Sequence, residues 1–438
     1  MLFFSNYGKI SRSRKRAETK SPAARVISAE AIMAKTIHKV AILGFGVVGG
    51  GVARLLTDNA DEIKKYTGRS VEIAHILDLR DFPGSPFESL VTHSFEDIVS
   101  DPEVDTVIEV MGGSHPAYEF TVAALKAGKN VITSNKEVVA NFGDEFVRLA
   151  ADNGVSYRFE ASVGGGIPVL APLMMSTRQN KTLEIRGILN GTTNYILTKM
   201  FTFGESFDTA LKDAQARGYA ERNPDADILG IDASRKITIL AALGFDKLVS
   251  VDKVPTEGIT GIRREDVMAA ESIGHSIKLL GRAIINNNGE PFVMVAPFLL
   301  GSESPLATVS GVYNAVELVA EPLGNVMFYG QGAGAGATAS AVVGDLIPII
   351  AYNNLNPIVP GFNRVDYSPS DVMLDFVSKS YIAYPAEYEA AARAVFGEVT
   401  ALAAASEFAF ITREMTEREM CERLERVGTK PLSRIRFL

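Results

Sequence analysis

The sequence predicts an α/β protein in three parts: a doubly wound parallel sheet, a middle α+β region and a C-terminal βαββαβ module. Three observations predict it. A short β-branched run at residues 39–43 meets a glycine turn and then a helical pattern. Strand-like and helix-like stretches alternate from there to residue 159, the pattern of a parallel sheet with crossover helices. Residues 378–438 read strand, helix, strand, strand, helix, strand, a ferredoxin-like order.

The 438 residues are enough for roughly two to four domains with a real core. A hydrophobic content of 47% and a charged content of 22% fit a globular chain. The net charge of −8 argues against a general nucleic-acid role. The single cysteine, Cys421, excludes a disulfide framework and a C-x-x-C metal site within one chain, and makes a reducing cytoplasm the default expectation. No apolar run reaches the ~18 residues of a membrane span. Residues 1–35 stand apart: Lys9, Arg12, Arg14, Lys15, Arg16 and Lys20 make them basic. They read either as a transit peptide or as an extension ahead of a true start at Met33. The second reading is preferred, and both place them outside the fold.

Gly44, Gly46 and Gly49 follow the first strand at G-x-G-x-x-G spacing, and Val52, Ala53, Leu55 and Leu56 continue with helical periodicity. Strand, glycine turn and helix together are the context of a Rossmann dinucleotide fingerprint. The glycines permit a tight turn and close approach of a pyrophosphate, and the helix N-terminus supplies amide donors. Asp78 ends the next strand, 71–77, where an acid bonds the ribose 2′-hydroxyl of NAD. Arg80 stands near enough to meet the 2′-phosphate of NADP instead. Asp78 tips the expectation towards NAD. Its distance from Gly49 is longer than usual, which an inserted helix end and loop at 58–69 would explain. Further strands are expected at 106–110, 130–133 and 155–159, with helices at 117–127 and 142–152. Lys136, in Ser134-Asn135-Lys136, lies at the carboxyl end of a strand, where ligands of such sheets bind; otherwise it is a solvated loop lysine.

At Glu160 the character changes. A carboxylate precedes three successive glycines, Gly164–Gly166, which either form a tight turn or aim carbonyls at a hard cation. In the middle region a strand at 183–189 leads to Asn190-Gly191-Thr192-Thr193-Asn194-Tyr195. Asn190 and Thr192 can cap the helix that follows, but so many small polar groups also suit a ligand. An acidic loop with Glu221, Asp225 and Asp227 then opens a helix carrying Asp232 and Lys236 four residues apart, on one face. Alone, that pair reads as a surface ion pair. A helix is expected over 266–280, a hairpin around the turn 286–289, and short strands at 314–318 and 325–328. The glycine-rich run 330–340 opens a helix at 341–350 and suggests a return to the first domain; otherwise it is a hinge. Residues 353–377 read as a linker.

Taken together and in order, these motifs resemble the homoserine dehydrogenase family. The resemblance covers most of residues 38–350: G-F-G-V-V-G at 44–49, S-N-K at 134–136, E-A-S-V-G-G-G-I-P at 160–168, G-I-L-N-G-T-T-N-Y-I-L at 187–197, G-Y-A-E at 218–221, D-A-S-R-K at 232–236 and G-A-G-A-G-A-T-A-S-A-V at 332–342. It implies NAD(P)H-dependent reduction of L-aspartate 4-semialdehyde to L-homoserine, on the route to threonine and methionine. It implies catalytic roles for Lys236, Asp232 and Lys136. Substrate contacts would come from Glu221, Asp227, Gly191, Thr192 and Tyr219, with Glu221 gripping the amine. NAD or NADP would meet Gly44, Phe45, Gly46, Val47, Val48, Gly49, Asp78, Arg80, Ser134, Lys136, Gly218, Gly332 and Gly334. It implies a sodium site of one carboxylate and backbone carbonyls at Glu160, Val163, Gly165 and Ile167, and a homodimer formed through the middle domain. The implied domains are a nucleotide-binding unit at 36–160 completed by 322–352, a catalytic and dimerisation unit at 161–321, and a degenerate ACT-like unit at 378–438. Pro385 and Ala386 stand where the ACT pattern has a glycine, which speaks against threonine control. Two rivals are another Rossmann semialdehyde or amino-acid oxidoreductase and a non-catalytic amino-acid sensor. Cys421 is badly placed for an acyl-enzyme, and the intact lysine and carboxylate set argues against a sensor.

Overall fold

Two sheets organise the chain: a parallel sheet of six strands and a mixed sheet of nine. The computed structural model describes residues 35–286, 289–352, 361–365, 373–403 and 406–438. The basic extension and most of the expected linker lie outside the described residues.

The first sheet is built from β1 (Ile37–Leu43), α1 (Val47–Asp58), α2 (Ala60–Thr67), β2 (Ser70–Leu77), β3 (Val91–Thr92), α3 (Phe95–Val99), β4 (Val104–Glu109), α4 (Ala117–Lys126), β5 (Asn130–Thr133), α5 (Lys136–Asn153) and β6 (Tyr157–Arg158). Its order is β3-β2-β1-β4-β5-β6, every pair parallel. Val40–Leu43 are fully buried, as a central parallel strand covered on both faces must be. The strand order reverses between β1 and β4, and the crevice there is where such sheets bind ligands. The long gap between Gly49 and Asp78 is filled by α2, a complete helix rather than a helix end.

The second layer follows with α6 (Leu170–Ser176), β7 (Lys181–Ile188), α7 (Gly191–Phe203), α8 (Phe207–Ala216), α9 (Asp225–Ile228), α10 (Ile231–Phe245), α11 (Arg264–Ser272), β8 (His275–Ile285), β9 (Pro291–Gly301), β10 (Tyr313–Glu321), β11 (Gly324–Gln331) and α12 (Ala335–Ala351). Strands β11-β10-β7-β8-β9 lie antiparallel in that order. The helix expected over 266–280 ends at Ser272, and the chain enters β8 after Gly274 (φ 71°). Residues 277–280 are buried in β8, and an apolar run buried on both faces carries no period that separates strand from helix. β11 pairs with β10, so the return to the first sheet begins with α12 rather than at residue 322. A Cβ on Gly51 of α1 would lie 3.2 Å from Ala335 O and from Ala339 Cβ, so α1 and α12 pack backbone to backbone. Val342, Leu346 and Ile349 share one apolar cluster with Ile42 and Val52.

The tail comprises β12 (Val377–Ser378), β13 (Ser380–Pro385), α13 (Glu389–Phe396), β14 (Thr400–Leu402), β15 (Glu407–Ile411), β16 (Met415–Thr416), α14 (Glu417–Val427) and β17 (Ser433–Phe437). Its sheet order is β17-β13-β15-β14, and β13-α13-β14-β15-α14-β17 has the ferredoxin-like sequence. It is not a separate sheet. β17 pairs in parallel with β9 at Phe298 and Leu299, joining tail and middle strands into one surface. Arg263 bridges the seam, 2.6 Å from Asp266 and 2.7 Å from Glu407. Buried Arg436 sits 2.8 Å from both Glu417 and Glu257.

Candidate active site

Gly230, in the left-handed region (φ 83°), turns the chain into α10. This puts Asp232 in the helix's first turn, where a negative charge suits the dipole. From Asp232 to Leu243 every residue of α10 except Arg235 is buried. Lys236 therefore points inward, and its Nζ donates to Asp232 Oδ2 at 2.7 Å and to Leu189 O at 2.8 Å. Lys136, the first residue of α5, brings its Nζ to 2.9 Å from Asp232 Oδ1. Asn190 Nδ2 donates to Asp227 Oδ1 at 2.7 Å and to Asp232 Oδ2 at 3.0 Å. One buried carboxylate thus meets two ammonium groups and an amide. Burial opposes ionisation of Asp232, but Lys236 and Lys136 outweigh it and hold the carboxyl well below its usual range. Burial pulls Lys236 down; Asp232 opposes the shift and Lys136 adds to it. Burial pushes Asp227 up, against the Asn190 hydrogen bond. Opposed shifts of this kind, gathered in a cleft, mark functional groups.

The cluster floors a cleft of about 660 Å³. Asn190 caps α7, accepting from Thr193 N at 2.9 Å, so its oxygen holds the helix while its nitrogen serves the acids. Gly191 has no room for a side chain: a Cβ would lie 2.6 Å from Val312 O. Thr192 Oγ1 donates to Tyr219 O at 2.5 Å, fixing the turn that also carries Gly218. Of the residues expected at a site, Ser134, Lys136, Gly191, Thr192, Gly218, Tyr219, Asp227, Asp232 and Lys236 all line this one cleft. Glu221 does not line it and is exposed. Ser162, Val312, Gln331 and Thr338 line it as well; the quoted motifs contained Ser162 and Thr338, but none of the four was singled out, since none carries a charge. Asn190 was legible as a cap and as one of several small polar groups suited to a ligand, but its bonds to Asp227 and Asp232 were not.

The opposite wall is made of glycines. Val48, Gly165, Gly332 and Gly334 line it. Gly44 (φ 93°) closes the first turn, and a Cβ on Gly49 would stand 2.0 Å from Gly44 O. At Gly165 a Cβ would lie 2.5 Å from Gly332 O, so the two later glycine runs touch through their backbones. Phe45 N donates to Asp78 Oδ2 at 2.8 Å, tying the turn to the end of β2. Arg80 binds the same carboxylate through Nε and Nη2, each at 2.9 Å, and this pair holds Asp78 well below the usual carboxylate range. Gly46 caps α1 as the last residue before it, and Val47, its first residue, is exposed.

The Glu160 carboxylate is bonded by backbone amides. It accepts from Val169 N at 2.6 Å and Leu170 N at 2.7 Å on one oxygen, and from Ala171 N at 2.7 Å on the other. It caps α6, so a cation held with Val163, Gly165 and Ile167 would share this carboxylate with three backbone amides. Among the described residues no group of three or more His, Cys, Asp or Glu could hold a metal ion. Glu160 N in turn donates to Asp345 Oδ2 at 2.8 Å.

A family model described as homoserine dehydrogenase matches residues 168–347, and one described as its NAD-binding domain matches residues 44–160. A homoserine dehydrogenase of Synechocystis sp. is 44% identical over 71% of this chain and 73% of its own length. That of Bacillus subtilis is 39% identical over 76% and 79%. The crystal structure of a homoserine dehydrogenase from Thiobacillus denitrificans superposes with a TM-score of 0.83 at 33% identity, covering 92% of this chain and 98% of the other. A hyperthermophilic archaeal homoserine dehydrogenase mutant in complex with NADPH superposes with a TM-score of 0.62 at 27% identity, over 74% and 99%. The glycine wall, the lysine–carboxylate floor and these likenesses lead to one conclusion: the chain belongs to the homoserine dehydrogenase family, NAD(P)-dependent oxidoreductases.

Proposed function

We propose that this cleft interconverts L-aspartate 4-semialdehyde and L-homoserine with Lys236 as the proton-transfer group. The observation that carries this reading is the shared carboxylate of Asp232, which fixes two ammonium groups opposite the glycine wall. The nicotinamide cofactor, when bound, gives its hydride to the aldehyde carbon or takes it back from the alcohol. The protein's part is the proton on oxygen. In reduction, the oxygen gains charge as the hydride arrives, and the Lys236 ammonium donates the proton; in oxidation, the neutral amine accepts it. Lys136, more exposed, stabilises the developing alkoxide. Asp232 holds both lysines in place. Asp227 takes the substrate amine, with Glu221 earlier on the same loop. Gly191 and Thr192 offer backbone contacts, and Tyr219 closes the side wall. The test is homoserine-dependent cofactor reduction by Lys236→Ala. Loss of one positioned acid–base group costs roughly 10²–10⁴-fold in kcat, with cofactor affinity unchanged; near-normal turnover defeats the assignment.

Cofactor choice falls to Asp78 and Arg80. Asp78 tips the sequence towards NAD, but both its oxygens are engaged by Arg80 and Phe45 N. Arg80, lying over Phe82 at 5.1 Å and largely exposed, is held by Asp78 with its Nη1 left to meet a 2′-phosphate, and NADP is the favoured cofactor. Arg80→Ala is expected to raise the KM for NADP about tenfold or more, since a charge-assisted hydrogen bond is worth ~1.5–3 kcal/mol, and to leave the KM for NAD unchanged.

The remaining readings are finer. The nucleotide-binding unit is residues 36–160 with α12, the catalytic unit runs from 161 to β11, and the tail is ACT-like in strand order. Exposed Tyr313, Met327 and Tyr329 on the outer strands β10 and β11 support a homodimer through the middle sheet. A cytoplasmic location follows the composition. A sodium ion at the 163–167 turn would be held by the carbonyls of Val163, Gly165 and Ile167 with Glu160 beside them, and no step depends on it.

A further inference from the structure

We propose that the Glu137–Arg235 ion pair is a latch between the two layers, and that it positions Lys136 against Asp232. Lys136 and Glu137 open α5, in the nucleotide-binding layer. Arg235 and Lys236 are neighbours on α10, in the catalytic layer. Arg235 Nη2 lies 3.1 Å from Glu137 Oε2. Among the described residues it is, apart from Lys136–Asp232, the only ion pair joining these two helices. Arg235 is also the one residue between Asp232 and Leu243 that is not buried, so it faces out of the core towards α5.

The other oxygen of Glu137 accepts from Ser114 Oγ at 2.6 Å. Ser114 follows the positive-φ pair Gly112–Gly113, at the carboxyl end of β4, on the cofactor side of the crevice. Asn135 ties the same corner twice: its Oδ1 accepts from Glu137 N at 3.2 Å and its Nδ2 donates to Gly113 O at 2.7 Å. Glu137 therefore joins three pieces, the loop after β4, the start of α5 and the catalytic helix.

The physical need is plain. Lys136 and Lys236 share one carboxylate and repel each other. Lys236 is buried and held by α10. Lys136 is 38% exposed on its side chain, and a long flexible side chain under repulsion drifts into water unless its backbone is pinned. The latch pins it one residue away on each helix. The groups that face Lys236 are Asp232 from its own helix, Asp227 from α9, Lys136 from α5 and the Leu189 carbonyl from the end of β7. Of these, only Lys136 would move if the latch opened.

The test uses the full-length enzyme with L-homoserine and NADP. Arg235→Met and Glu137→Gln are expected to lower kcat roughly ten- to a hundredfold, the cost of misplacing a group by about an ångström. The melting temperature is expected to stay at its wild-type value. The double variant should lose no more than either single one, since both open the same contact. Arg235→Lys, which keeps the charge, should recover most of the rate. With Lys136 displaced, Lys236 loses a repelling neighbour and holds its proton more tightly. The pH midpoint for homoserine oxidation then moves upward, a change that a purely structural role would not produce. Wild-type kcat and pH midpoint in either single variant would overturn the latch, as would losses that multiply in the double variant. This inference rests on Lys236 as the proton-transfer group. If that assignment fails, Lys236→Ala keeps its turnover; if only the latch fails, Lys236→Ala is inactive while the latch variants run at the wild-type rate.

Discussion

Asp345 shows how one buried side chain sets a pH dependence. It lies on α12 with Glu160 beside it, and burial together with that neighbour pushes its carboxyl up to about 7. The unfolded chain loses this proton near 3.8. Between those values the folded state binds one more proton than the unfolded state, so this group's contribution is full below about pH 4 and is lost as the pH climbs through 7. Asp345→Asn keeps an oxygen for Glu160 N and carries no charge. It is expected to exceed the wild type by a margin that grows by about 1–3 kcal/mol from pH 5 to pH 8, measured by urea unfolding at both values. Glu160 teaches the complementary lesson. Its place ahead of three glycines was legible, and so was its acidity. Where the carboxylate points was not, because the three amides it caps begin nine residues further on, at Val169. Lys236 and Asp232 were legible as a pair through helical spacing alone, whereas Lys136 reaches them across 96 residues of sequence, a meeting that no local pattern encodes.

Elements were most legible where a chain signal is local. The first strand, its glycine turn and α1 could be read directly, because each depends on residues a few positions apart. The Asp266–Leu280 stretch could not, because strand and helix look alike when both faces are buried. Glycine runs fall between these cases: their presence is visible, and the partner that forbids a side chain is not. At Gly165 the conformation is left-handed (φ 57°), and a Cβ would meet the backbone of Gly332 at 2.5 Å. Neither flexible side chain nor solvent stands there to yield. Gly165→Ala is expected to push the two loops apart at the cleft wall, weakening cofactor binding at least about tenfold while the unfolding midpoint falls by the equivalent of ~1–3 kcal/mol. Fluorescence titration with NADPH, alongside thermal melting, checks both.

At the scale of the whole molecule, the tail is legible as a module and misleading as one. Its βαββαβ pattern suggests a unit that could be removed. The pairing of β17 with β9 makes it part of the middle sheet instead, and all eleven residues of β9 are buried. Phe376 adds to the seam, 5.2 Å from Phe292 ring to ring. A chain ending at residue 372 would uncover β9 at Phe298 and Leu299, an apolar edge that can pair with other chains. It is expected to aggregate where the full chain does not, as size-exclusion chromatography at matched concentration would show.

The return of α12 to the first sheet has a consequence for the order of events during synthesis. The nucleotide-binding layer is the first to leave the ribosome, yet Val342, Leu346 and Ile349 complete the apolar cluster around Ile42 and Val52. Some three hundred residues separate the two ends of that core. The N-terminal layer cannot close as an independent unit while the chain emerges; it must wait, partly uncovered, until the whole catalytic layer has been made. At ~5–20 residues per second that wait lasts on the order of tens of seconds. Contacts of such long range also fold slowly. The same thread that stitches cofactor wall to catalytic floor thus leaves apolar surface of the first sheet uncovered during translation, the kind of exposure that invites aggregation.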